Sequence, residues 1–169
     1  MNQNKKNSLR YLIYIAAAFA AFFFKGNDII MNIKNSEDAD KEAFSVERVI
    51  DGDTFVLENG QKVRLIGIDA PELEKQGEEG EYYANEARDF LDKLISKKRV
   101  YLIKDTSETD KYKRLLRYVY LEDGSFINEI LVLEGYAQAK EYKPDVKHFQ
   151  QLKTAEQKAK KSNEGIWGN

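Results

Sequence analysis

Three short clusters in this chain carry side chains able to act on a charged substrate. They are Asp51-Gly52-Asp53-Thr54, then the run from Arg64 to Glu72 (Arg-Leu-Ile-Gly-Ile-Asp-Ala-Pro-Glu), then Thr109-Asp110-Lys111-Tyr112-Lys113-Arg114. Taken singly, each has a plain reading as a turn, a solvated strand arginine or a strand exit. Taken together, they supply complementary parts of one site. Two carboxylates at strand ends, Asp53 and Asp69, helped by a backbone carbonyl, can hold a hard divalent cation with several waters left in its shell, which points to calcium ahead of magnesium. Glu72 lies three residues beyond Asp69, across the backbone-fixing Pro71, where it can reach a water beside such an ion and serve as general base. Hydrolysis of a phosphodiester builds negative charge on the phosphoryl oxygens. The forked guanidinium groups of Arg64 and Arg114 match two such oxygens at once.

These residues need a scaffold, and the apolar pattern predicts one. Residues 44–50 and 54–58 read as two strands of a hairpin, parted by Asp51-Gly52-Asp53. A second turn at Glu58-Asn59-Gly60 leads into a strand at 62–68, with Val63, Leu65 and Gly67 on one face and Arg64 and Ile66 on the other. After a charged loop at 73–81, Ala84, Ala87, Phe90, Leu91 and Leu94 recur at helical spacing. Strands are expected at 99–104 and 115–121, parted by a polar loop at 105–113. A helical segment then stops at Gly135, and a last helix, from about His148 to Lys161, carries a thin stripe of Phe149, Leu152, Ala155 and Ala159. Five short strands, one helix after the third and two more at the end predict an α+β, mostly β fold, a five-stranded OB-type barrel with three helices.

Composition narrows the chemistry. The 169 residues suit one globular domain plus a tail. The net charge of −2 shows no basic surplus, so a polyanion would have to be handled by a local cluster of cationic groups or a bound metal ion. The absence of cysteine excludes disulfides, thiolate catalysis and Cys-ligated zinc, and a single histidine argues against a Ser-His-Asp triad or a multi-His metal site. Lys5, Lys6 and Arg10 precede an uncharged stretch at 11–24, shorter than the roughly 20 residues that span a bilayer. Residues 1–25 therefore read as a signal peptide or an uncleaved signal anchor, 26–43 as a linker and 44–169 as the folded domain. That organisation places the domain outside the cytoplasm, secreted or anchored to the membrane.

The order Ile-Asp-Gly-Asp-Thr, then Arg-Leu-x-Gly-Ile-Asp-Ala-Pro-Glu, then Thr-Asp-Lys-Tyr-x-Arg, with a tail ending Lys-Lys-x-x-x-Gly-Ile-Trp, resembles the staphylococcal nuclease (thermonuclease) family over roughly 44–167. The resemblance implies that Asp53, Asp69 and the carbonyl of Ala70 hold calcium, that Glu72 is the general base, and that Arg64 and Arg114 are the catalytic arginines. It likewise implies that Lys111, Tyr112 and Tyr142 contact the substrate, with half-buried packing as the plain alternative for the two tyrosines. The implied activity is endonucleolytic cleavage of DNA and RNA to 3′-phosphate products by a monomer. Two departures stand out. Ala70 replaces the threonine of the best-known member, and Lys113 stands where a glycine is usual. The competing reading is a non-catalytic OB-type module that binds nucleic acid or protein. His148 reads as a surface residue and Trp167 as a packing anchor.

Overall fold

Alternating apolar residues favour an extended chain with one buried face. In the computed structural model, which describes residues 42–168 apart from 75, 76 and 78, this pattern builds most of the strands. They are β1 (Ala43–Asp51), β2 (Thr54–Leu57), β3 (Lys62–Leu65), the two-residue β4 (Ile68–Asp69), β5 (Arg99–Ile103), β6 (Leu115–Leu121) and the two-residue β7 (Gln138–Ala139). The helices are α1 (Ala84–Ile95), α2 (Ile127–Leu133) and α3 (Phe149–Ser162), followed by a 3-10 turn, Gly165–Trp167. The expected apolar leader, and the linker up to residue 41, lie outside the described residues. Among the described residues, no helix is long and apolar enough to cross a membrane.

Five strands close into a barrel in the order β1-β2-β3-β6-β5. β1 serves two neighbours, pairing Ala43 with Tyr101 of β5 at its start and Asp51 with Thr54 of β2 at its end. Register shifts after Val46 and Val49 bend it between the two, as bulges do. A parallel pairing of β3 with β6, Val63 opposite Leu115, completes the closure. Phe55, Val63, Val100, Val119, Ile127, Leu131 and Leu152 are fully buried. Each such side chain contributes about 1.5–3 kcal/mol by leaving water. The buried Asn128 is satisfied, accepting from the Val119 N–H and donating to the Ile66 carbonyl, both at 2.9 Å.

Several boundaries differ from the sequence expectation. Ala43, read as linker, is already in β1. The strand expected to run to Ile68 stops at Leu65, because Gly67 has φ +78° and a Cβ there would lie 2.6 Å from Leu152 Cδ1 of α3. The chain turns at this point and Ile66, expected on the same strand face as Arg64, lies beyond the end of β3 and is buried. In α1 the buried stripe is Ala84, Ala87, Leu91 and Ile95, while Phe90 lies at its edge and stacks on Tyr136 at 4.0 Å between ring centroids. His148 is not a simple surface residue. It is half-buried with its ring edge-on to Tyr118 at 4.6 Å, and burial lowers its pKa. Trp167 sits under the Lys160 ammonium at 4.2 Å, which holds the C-terminal turn on α3.

Candidate active site

The site begins at the β1–β2 turn. A Cβ on Gly52 would lie 2.6 Å from the Cβ of Ala70 and 2.8 Å from that of Ala87, so only glycine lets the turn pack against the exit of β4 and the flank of α1. That approach carries Asp53, 6% exposed, against the Ala70 backbone, whose N–H donates to Asp53 Oδ2 at 3.0 Å. The Thr54 hydroxyl donates to Asp53 Oδ1 at 2.9 Å.

Arg64 lies directly across from Thr54 in the β2–β3 pairing. Its Nη1 donates to the carbonyls of Leu65 at 2.7 Å and Ile68 at 3.0 Å. Its Nη2 reaches Asp53 Oδ2 at 2.9 Å and Asp69 Oδ1 at 3.1 Å. One guanidinium nitrogen thus bridges the two carboxylates. Asp69 pairs with Gln138 of β7, which brings the next residues of that strand over it. Lys140 Nζ lies 2.6 Å from Asp69 Oδ2, and the Tyr142 hydroxyl donates to Asp69 Oδ1 at 3.2 Å.

The Asp53 carboxyl is largely shut away from water. Burial pushes its pKa up to about 7, Arg64 opposes this, and the neighbouring Asp51 adds to it. Hard oxygen donors in such a setting fit a divalent cation, although among the described residues no three Asp, Glu or His side chains form a ready cage. A pH effect follows. Without divalent ions, folded Asp53 holds its proton well above the ordinary 3.8, so this group costs stability increasingly as pH rises from about 4 to 7. Asp53→Asn should therefore gain on the parent in denaturant midpoint across that window and hold a constant lead above it. A lead that shrinks with rising pH would contradict the assignment.

The second arginine comes from the loop before β6. Asp110 folds it, with Oδ1 accepting from the N–H groups of Tyr112 at 2.8 Å and Arg114 at 3.0 Å, while Oδ2 takes the Arg114 Nε at 2.6 Å. Burial raises the Asp110 pKa, but the Arg114 and Tyr112 hydrogen bonds outweigh it and hold the carboxyl below the ordinary range. Arg114 Nη1 reaches the Thr54 hydroxyl at 3.5 Å, so Arg114, Thr54, Asp53, Arg64 and Asp69 form one polar chain across the barrel mouth. Lys113 occupies the turn at φ 63°, a left-handed conformation that glycine adopts without strain. The loop nevertheless carries Arg114 to Thr54. Lys113→Gly should raise stability by roughly 0.5–1 kcal/mol, the relieved strain less the added flexibility of the unfolded chain, read as a higher denaturant midpoint at unchanged m-value.

Glu72 is exposed on the loop leaving β4, and its backbone is held from both sides by Glu81. The Glu72 N–H donates to Glu81 Oε2 at 2.9 Å and the Glu81 N–H donates to the Glu72 carbonyl at 2.8 Å. Arg64, Asp69, Glu72, Lys111, Tyr112, Arg114 and Tyr142 all line one cleft of about 500 Å³. Asp53 and Ala70 stand behind its Arg64 wall, through the contacts above. Tyr112 is 67% exposed and Tyr142 40%, so both rings present a face to solvent at the cleft. Two positioning groups, Glu81 and Asp145, have no signal in the sequence, and Asp110 is marked there only as part of its cluster, without a role. Asp145 is buried, and its Oδ1 accepts from the N–H groups of Thr106 at 2.9 Å and Ser107 at 2.7 Å, tying the Tyr142 wall to the Arg114 wall.

A closed barrel whose mouth holds a cleft lined by both guanidinium groups and carboxylates is a scaffold suited to a charged substrate. Residues 62–169 match the family model described as "Staphylococcal nuclease homologue". The chain is 38% identical over 134 residues to the thermonuclease of Staphylococcus hyicus, covering 78% of this chain and 79% of that protein. It is 41% identical over 137 residues to the thermonuclease of Staphylococcus intermedius, covering 79% and 81%. It is also 38% identical over 128 residues to endonuclease YncB of Bacillus subtilis, covering 73% and 60%. The chain belongs to the staphylococcal nuclease family and is a nuclease, which sets aside the binding-only reading.

Proposed function

We propose that this nuclease is a calcium-dependent, sugar-nonspecific endonuclease that hydrolyses phosphodiester bonds of DNA and RNA and leaves 3′-phosphate ends. The observation that carries this reading is the convergence of Asp69, two guanidinium groups and Glu72 on one cleft, with Asp53 joined to it through Arg64. Asp53, Asp69 and the Ala70 carbonyl would hold calcium, which supplies concentrated positive charge beside the phosphoryl oxygens. Glu72 accepts a proton from the attacking water. A new P–O bond forms, the bond to the 5′-oxygen breaks, and the leaving oxygen takes a proton from solvent water to become a 5′-hydroxyl. Arg114 and Arg64 answer the charge that grows on the phosphoryl group. Lys111 adds charge at the rim, and the exposed rings of Tyr112 and Tyr142 suit contact with phosphate or base, as stacking does not depend on the sugar.

The end chemistry tests this reading. DNA and RNA oligonucleotides cleaved with calcium present should yield products that a polymerase extends only after phosphatase treatment. Products extended directly would overturn the assignment of the broken bond.

The same proposal places the enzyme as a monomer outside the cytoplasm, held at or sent across the membrane by the basic and apolar residues of 1–25. Recovery of the protein solely in the cytosolic fraction would refute that placement.

A further inference from the structure

Both oxygens of Asp69 are engaged in this structure. Oδ1 receives Arg64 Nη2 at 3.1 Å and the Tyr142 hydroxyl at 3.2 Å, while Oδ2 receives Lys140 Nζ at 2.6 Å. A cation that takes Asp69 as a ligand must compete with one of these donors. They are not equally able to leave. The Arg64 side chain is 11% exposed, and each of its two Nη nitrogens serves two acceptors, so moving it breaks four contacts. Lys140 is 51% exposed, and its backbone is fixed independently by its N–H to the Gly67 carbonyl at 2.9 Å. Only its flexible stem has to swing. The Tyr142 ring lies 5.5 Å away and offers the ammonium a second resting place.

We propose that Lys140 is an exchangeable counter-ion of Asp69, competing with the divalent cation for this carboxylate and so setting how tightly the ion is held. The inference rests on the calcium reading above and adds to it a residue that tunes affinity from outside the ligand set. Two physical effects act in the same direction. An exposed ion pair is worth little, but it must open before Oδ2 is available. The displaced ammonium also remains within reach of its stem and repels a doubly charged ion. Lys140→Met keeps the length of the stem and removes both effects.

The test is isothermal titration of the full chain with calcium chloride alone, for the parent, Lys140→Met, Lys140→Arg and Asp69→Asn. Lys140→Met should bind calcium about five- to tenfold more tightly than the parent. The gain should shrink as salt is raised, because screening weakens the repulsion. Lys140→Arg keeps the charge and should stay near the parent. Unchanged or weaker binding by Lys140→Met, or equal tightening by Lys140→Arg, overturns the inference while leaving the calcium reading in place. Parent-like calcium binding by Asp69→Asn, or no binding by the parent, overturns the calcium reading and the inference with it.

Discussion

Lysine in place of Arg114 is expected to lower kcat by about 10²- to 10³-fold, the usual loss when one preorganised donor to a developing charge is removed, and to leave the fold almost unchanged. The side chain is 26% exposed, and its contacts, Nε to Asp110 and Nη1 to Thr54, orient the guanidinium across the cleft. A lysine keeps the charge but offers no fork, so substrate binding should fall less than kcat. Arg64→Lys should cost a similar factor in kcat but with a different signature. Arg64 joins two backbone carbonyls and two carboxylates, so its loss leaves buried acceptors without donors and should also cost about 2–3 kcal/mol of stability. Steady-state kinetics beside denaturant unfolding separates the two arginines. Parent-like kcat in Arg114→Lys would show that its loop does not deliver the guanidinium to the phosphate.

Glu72→Gln should lower kcat by at least about 10²-fold with KM largely kept. Glutamine preserves shape and hydrogen bonding but accepts no proton from water. The N–H and carbonyl of Glu72 are held by the carboxylate and the N–H of Glu81, contacts that the substitution does not touch, so the loop should keep its place. A drop in kcat without a change in stability marks a residue of the chemical step. If KM rises while kcat stays at the parent level, Glu72 is a binding residue and the base lies elsewhere.

The barrel was legible because its strands are short apolar runs parted by Asp-Gly and Asn-Gly turns, signals that act locally. The site was legible for a related reason. Asp53, Asp69 and Arg114 stand at strand ends or turns and Arg64 on a strand between them, and the order and spacing of the three clusters, set beside the family they resemble, pointed to one site. What the sequence hid depends on long-range geometry. Lys140 meets Asp69 only because a two-residue strand, too short to leave a pattern, pairs Gln138 with it. Asp145 and Glu81 act by accepting backbone N–H groups far along the chain, and no periodicity marks such contacts. Gly67 resembled an ordinary strand residue, yet the close approach of Leu152 makes it a turn. His148, polar and at the start of a helix, packs on Tyr118 because α3 crosses that side of the barrel.

Whether this cleft is a calcium-dependent nuclease centre is tested most directly by digestion of supercoiled plasmid by the purified protein, with calcium and with calcium removed by a chelator. Progressive nicking and linearisation are expected with calcium, none with the chelator, and recovery when calcium is restored. Equal cleavage under both conditions, or retention of intact plasmid with calcium present, would contradict it.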